Sequence, residues 1–255
     1  MRLGLLTYNI ARDWDLATLL SKCVELGYEG VELRTDSGHA HGVEATLSRA
    51  GRLEVKQRVD GSEVVLCGLG SGCTYDSPDA AKVKREIEHT KKLLELCCDL
   101  GAPGLKVFGN NFHEKEGIER SVTIAQMAKA LRECARTAND VGVELRLEMH
   151  GDFYRPEDVL EVLHQADHPQ IKLIYNCDGR DGVEGSVGGV LHEVMPYVTH
   201  VHMHELTHAR YPYQEALELL TDSGYTGFCV AEIQQSAEPE RLLGYYHDLW
   251  HAWVD

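Results

Sequence analysis

No apolar run in this sequence approaches the roughly 20 residues that a membrane-spanning helix needs. The opening stretch MRLGLLTYNI also has neither the long apolar core nor the small-residue cleavage site of a signal peptide. The chain is therefore expected to begin at Met1, to remain in the cytoplasm and to have no membrane partner. Positive charge is scarce as well. Lys and Arg total 25 against 41 Asp and Glu, a formal net charge of −16, and a field of that sign repels the phosphates of a nucleic acid. The eight cysteines (Cys23, Cys67, Cys73, Cys97, Cys98, Cys134, Cys177 and Cys229) form no C-x-x-C pair. Several fall within apolar helix or strand patterns, so they read as reduced core residues rather than a disulfide framework or a zinc cluster. No linker, low-complexity tract or change of composition divides the 255 residues, which points to one domain.

What is present is an alternation, repeated eight times, of short apolar runs with longer segments of helical period. The runs predict strands over 3–9, 29–34, 63–69, 104–109, 143–149, 171–177, 198–204 and 228–233. The segments between and after them predict helices near 15–26, 43–57, 78–100, 121–140, 156–166, 187–195, 212–222 and 239–253. Ser77-Pro78-Asp79 offers an N-cap, with Ser77 as the capping side chain, and Gly101 offers a left-handed exit from the same helix. Asp15 opens the first helix and Gly27 closes it, with Leu16, Leu19, Leu20 and Cys23 as its buried stripe. Regular β–α alternation implies a parallel sheet with right-handed crossovers, and eight units in about 250 residues fit a closed (β/α)₈ TIM barrel, a single α/β domain.

The strands are two-faced in an unusual way. Strand five sets Leu145, Leu147 and Met149 against Glu144, Arg146, Glu148 and His150, and strand seven sets Val201 and Met203 against His200, His202 and His204. Strand two sets Val31 and Leu33 against Glu32 and Arg34, and strand four sets Leu105 and Val107 against Lys106. The apolar faces should meet the helices, which sends the charges into the barrel, where they must be paired or bind a metal. Glu32, Arg34, Glu144 and Arg146 suit mutual neutralisation as well as function. Strands five to eight each end in a residue able to ligate a hard divalent ion: Glu148, Asp178, His202 and Glu232. Barrel active sites form at these strand ends. Three carboxylates and one imidazole suit Mn²⁺, Mg²⁺ or Co²⁺ before Zn²⁺, with Mn²⁺ the leading expectation.

At these residues the sequence resembles the xylose isomerase-like TIM barrels, in particular the sugar (phosphate) isomerase/epimerase group that also includes endonuclease IV. The resemblance runs through Gly27-Tyr28-Glu29-Gly30-Val31-Glu32-Leu33, Leu147-Glu148, Asn176-Cys177-Asp178, His200-Val201-His202-Met203-His204-Glu205, and Gly224-Tyr225-Thr226-Gly227 leading to Ala231-Glu232. It implies one catalytic metal on Glu148, Asp178, His202 and Glu232, with Glu148 and Glu232 as the acid/base pair. Glu32, Lys106, His150, His204 and His208 are the candidates for contacting substrate. The chain departs from the family pattern twice. Asp181 stands where many members have a histidine, and His208 stands where the ketose epimerases have an arginine. His39, His41 and His113 remain without an assigned role.

The chemistry so implied is enediolate chemistry. A divalent ion on adjacent oxygens of a hydroxy-ketone acidifies the carbon-bound proton, and a carboxylate on either side moves it. Epimerisation or isomerisation in carbohydrate metabolism is the expected outcome, with elimination by a lyase or dehydratase acting on a keto-sugar or keto-inositol as the alternative. A non-catalytic sugar-binding barrel and an endonuclease IV-like phosphodiesterase are the remaining readings. The expected partner is a small, non-phosphorylated sugar, keto-sugar, polyol or cyclitol, because the loops 205–210 and 234–238 lack the glycines of a phosphate cradle. Assembly into a homo-oligomer is left open.

Overall fold

The computed structural model describes residues 1–182 and 185–254. Eight parallel strands close on themselves in sequence order: β1 (Arg2–Leu6), β2 (Gly30–Arg34), β3 (Val65–Thr74), β4 (Gly104–Phe108), β5 (Glu144–Glu148), β6 (Ile171–Asn176), β7 (Val198–Met203) and β8 (Phe228–Ala231). The ring is completed by β1 pairing with β8, Leu3 opposite Cys229. Outside it lie α1 (Leu16–Glu25), α2 (Arg49–Asp60), α3 (Ala80–Leu100), α4 (Arg120–Val141), α5 (Pro156–Ala166), α6 (Gly188–Val194), α7 (Tyr213–Asp222) and α8 (Pro239–Val254). The TIM barrel and its single domain follow the alternation in the sequence element by element.

Local chemistry explains the boundaries, including three that differ from expectation. Asp15 caps α1 by accepting from the Thr18 amide at 2.8 Å, and Gly27 follows the helix at φ +79°. The cap of α3 is Asp79 and not Ser77. The Asp79 carboxylate accepts from the Ala81 amide at 2.8 Å, and the Ser77 hydroxyl accepts from the Asp79 amide one turn earlier. The second helix starts at Arg49 behind Ser48, six residues later than its apolar pattern indicated. Before it, Glu44 serves the loop instead, accepting from the Gly38 amide at 3.1 Å. Seven cysteines are buried as expected, whereas Cys98 is exposed on α3.

The third difference shapes the barrel interior. β3 continues past residue 69 to Thr74, and its Gly68, Gly70 and Gly72 alternate toward the charges of β2 and β5. A Cβ on Gly68 would stand 3.5 Å from Arg146 Nη1, on Gly70 3.0 Å from Glu32 Oε1, and on Gly72 3.1 Å from Arg34 Nη2. One glycine-lined strand thus provides the volume that the long side chains of its neighbours occupy. The apolar faces (Leu3, Leu5, Val31, Leu33, Leu105, Val107, Leu145, Leu147 and Val201 among them) are buried against the helices. A separate small cluster of Leu6, Cys67 and Val230, with Phe228 packed on it, fills what the charged set leaves. Among the described residues no helix is long and apolar enough to cross a membrane.

Candidate active site at the barrel mouth

The period-two pattern of β5 carries Glu144, Arg146 and Glu148 inward at successive depths. Arg146 pairs with Glu144 (2.8 Å) and donates to the Cys67 carbonyl (3.0 Å). One level up, Glu148 Oε2 meets Lys106 Nζ at 2.7 Å and Glu148 Oε1 meets His202 Nδ1 at 2.7 Å. Glu232, just beyond the end of β8, brings Oε2 to 3.5 Å from the same His202 Nδ1. The opposite face of that imidazole, Nε2, lies 2.9 Å from Glu32 Oε2, which also meets His200 Nε2 at 2.7 Å. Lys106 therefore pairs with Glu148, and of the four interior charges suited to neutralisation as well as function, Glu144 and Arg146 pair with each other.

Each partner shifts its neighbours. Burial raises the Glu148 pKa, but the Lys106 ammonium and His202 outweigh it and hold the carboxyl well below the usual range. Burial likewise opposes ionisation of Glu32, and His202 and His200 reverse that. Burial disfavours a charged His202, yet carboxylates on both sides raise it to about 10, while desolvation lowers His200 to about 4 despite Glu32. Lys106 is pushed down by burial and up by Glu148 and Glu232, with a net rise. Two carboxylates directed at one imidazole nitrogen concentrate negative charge at a point. Glu148, His202 and Glu232 offer ligand atoms that all lie within 4.8 Å of one another, a donor set that a divalent cation fits.

The other expected site residues are distributed around this group. Glu232, Lys106 and His150 line a cavity of about 200 Å³ at the mouth together with Leu6, Tyr8, Arg34, Phe108 and Asn110. His150 packs edge-on against Phe108, ring centroids 4.8 Å apart, and its buried Nδ1 has no hydrogen-bond partner. Asp178 and His208 line a neighbouring hollow of about 260 Å³ with His204, Tyr211 and Tyr213. His204 links the two hollows, its Nδ1–H donating to the Glu232 carbonyl at 3.1 Å. Asp178 is held by Arg180, whose Nε and Nη2 reach its carboxylate at 2.9 and 2.5 Å. The arginine overcomes burial and lowers the Asp178 pKa. Arg180 also lies over the Tyr154 ring at 3.8 Å. Asp178 thus does not stand in the Glu148–His202–Glu232 group. Glu32 is 1 % exposed and lies behind His202, on its Nε2 side. A hollow of about 480 Å³ lined by Lys56, Ser62, Leu100 and Gly101 sits beside the start of β3, at the end of the barrel where active sites do not form.

Several participants were absent from the sequence reading of the site. His200 was visible only as a member of a polar face, and Arg34 as an interior charge suited to neutralisation as well as to function. Arg180 gave no pattern at all, and Tyr8, Phe108 and Asn110 reach the cavity from strand ends and loops. The triplet Gly68-x-Gly70-x-Gly72 carried a usable signal, because glycine at period two marks a strand whose inner face is given up to its neighbours. Asp181, in place of a family histidine, accepts from Tyr175 at 3.1 Å and is raised to about 7, mainly by burial. His41 accepts from the Val43 amide at 3.1 Å and lies 3.3 Å from Thr7 Oγ1, stacked on His39. These contacts tie down the loop after β2.

The family model described as xylose isomerase-like TIM barrel matches residues 20–251. The chain belongs to that family. Among curated relatives, D-psicose 3-epimerase of Ruminiclostridium cellulolyticum (strain ATCC 35319 / DSM 5812 / JCM 6584 / H10) is 29 % identical over 124 residues, a match spanning 45 % of this chain and 40 % of the relative. Among solved structures, D-psicose 3-epimerase with D-tagatose from Clostridium cellulolyticum H10 superposes with a TM-score of 0.82 at 19 % identity, covering 100 % of both chains. The IOLI protein with a bound zinc atom gives 0.83 at 14 % identity over 100 % of this chain and 98 % of the other.

Proposed function

We propose that this chain is a divalent-metal-dependent epimerase or isomerase of a keto-sugar or related polyol, working through proton transfer by Glu148 and Glu232. The observation that carries the reading is the convergence of these two carboxylates on His202 Nδ1 (2.7 and 3.5 Å) beside a cavity that Glu232 and Lys106 line. The partial match to a sugar 3-epimerase supports it.

Glu148, His202 and Glu232 would hold the ion, and Asp178 would join them on exchanging its Arg180 partner for the cation. When bound, such an ion, Mn²⁺ foremost, supplies electrophilic stabilisation of the negative charge that develops when a carbon next to a carbonyl loses its proton. The remaining parts belong to the protein. Glu232, 14 % exposed and on the cavity wall, takes a proton from one face of the substrate. Glu148 is kept ionised beneath Lys106 and serves the other face. The Lys106 ammonium, placed between Glu148 and the cavity, donates to a substrate oxygen. Glu32 accepts from His202 Nε2 and so fixes the ring orientation and tautomer that leave Nδ1 to the ion. His150 offers its unpartnered nitrogen to a hydroxyl.

The test is incubation of the metal-loaded protein with a panel of ketoses in D₂O, followed by NMR. Deuterium at the carbon beside the carbonyl, with an epimer or the isomeric aldose appearing, is the expected result. A panel that shows neither exchange nor product would sink the proposal.

A further inference from the structure

Three fixed cations facing the barrel interior, Lys106, Arg146 and Arg34, are not equivalent. Lys106 is neutralised by Glu148 at 2.7 Å and Arg146 by Glu144 at 2.8 Å. Arg34 has no carboxylate within 4.0 Å among the described residues. Its guanidinium meets the Gly70 carbonyl, 3.1 Å from Nη1, and the Tyr8 ring, whose centroid is 5.8 Å from Cζ. Yet it lines the mouth cavity with Asn110, His150 and Glu232. In a chain of net charge −16 an acidic partner would be easy to supply, and a half-buried guanidinium without one costs free energy. The surroundings instead keep this group in place. The Arg34 amide donates to Thr7 Oγ1 at 2.8 Å, and Gly72 omits a side chain where its Cβ would stand 3.1 Å from Nη2.

Resting on the proposed reaction, we infer that the substrate carries a carboxylate, as in a keto-sugar acid, and that Arg34 receives it. A planar guanidinium fork matches a carboxylate with two parallel N–H···O bonds. A phosphate dianion would draw on more cations and on backbone amides, and Lys106, the other cation that lines the cavity, is already paired. The cavity, about 200 Å³, has room for one small polar molecule with its acid group at Arg34 and its hydroxyl-bearing carbons toward Glu232. Arg34 then sets specificity by anchoring one end of the substrate, at a distance from the proton transfer.

The test uses a pair that cannot react, gluconate and its neutral counterpart glucitol, titrated calorimetrically into the metal-loaded protein, with glucitol 6-phosphate as a third ligand. Wild type is expected to bind gluconate at least tenfold more tightly than glucitol and more tightly than the phosphate ester. Arg34→Gln should erase the preference and Arg34→Lys should keep part of it. Gly72→Ala, which crowds Nη2, should weaken gluconate more than glucitol. A merely structural Arg34 would weaken both ligands equally. Preference for the phosphate ester, or a gluconate preference unchanged in Arg34→Gln, overturns the inference. Arg34-dependent gluconate binding in a protein that turns over no keto-sugar would instead refute the proposed reaction and leave this inference standing.

Discussion

His202 sits between two groups that look alike by distance. On its Nδ1 side are Glu148 and Glu232, and on its Nε2 side are Glu32 and, beyond it, His200. Each set brings three ligand-type atoms within 4.8 Å of one another. They differ in access. The inner set is sealed, with Glu32, His200 and His202 at 1 % exposure or less, and Glu32 Oε2 already takes an N–H from each ring. The outer set opens on the mouth cavity through Glu232. Proximity of donors is therefore a weak criterion. An ion that serves a substrate needs a donor set with a route to solvent, and the sealed carboxylate is better suited to orienting the ligand in front of it.

The largest effects expected from this contrast fall on the outer set. Glu148→Gln and Glu232→Gln should each lower kcat by about 10²–10⁴-fold, since an amide keeps one oxygen ligand but cannot act as a base. They should part company in stability. Glu148→Gln leaves the buried Lys106 ammonium without its anion, a loss of the order of 3–5 kcal/mol, whereas Glu232→Gln should shift the denaturation midpoint little. Near-normal turnover in either variant removes that residue from the mechanism. Equal midpoints would mean that Lys106 finds another partner.

Next in size is metal affinity. Protein purified without chelator and supplied with Mn²⁺ should hold one ion per chain by elemental analysis. Glu32→Gln should weaken that ion by about 10–100-fold, the usual cost of losing the group that orients a ligating histidine, with the stoichiometry unchanged. Two ions per chain would show that the inner set also binds, and the contrast would collapse.

The smallest effect concerns the volume that lets the two sets coexist. Gly70→Ala would put a methyl group 3.0 Å from Glu32 Oε1 and should cost about 1–3 kcal/mol, as overpacking does. Gly189→Ala, on α6 with nothing within 4 Å of the added carbon, should be neutral or stabilise by up to about 1 kcal/mol, the helix propensity difference. Chemical denaturation of both variants decides it. A Gly70→Ala protein as stable as wild type would mean that the inner carboxylate has slack.

Much of the barrel was legible because its signals are local. Leu16, Leu19, Leu20 and Cys23 recur at helical spacing behind an Asp15 cap, and all four are buried where that spacing put them. Glu144, Arg146 and Glu148 alternate with Leu145 and Leu147, and the strand points them as that alternation requires. Boundaries failed where one side chain could serve two backbones, as with Ser77 against Asp79, or where a loop recruited a residue, as with Glu44.

The sequence alone settled the periodicities, and with them eight strands, eight helices, one closed barrel and an inward polar face that ends in acids and a histidine. Those are properties of residues a few positions apart, fixed by backbone geometry. Tertiary structure decided the pairings: Lys106 with Glu148, Glu32 behind His202, and Arg34 left without an acid. Partners separated by 42 to 170 positions are chosen by barrel closure, relative depth and the room left by Gly68, Gly70 and Gly72. No local pattern encodes those quantities, because each depends on which strands become neighbours and on how far every side chain reaches across the interior.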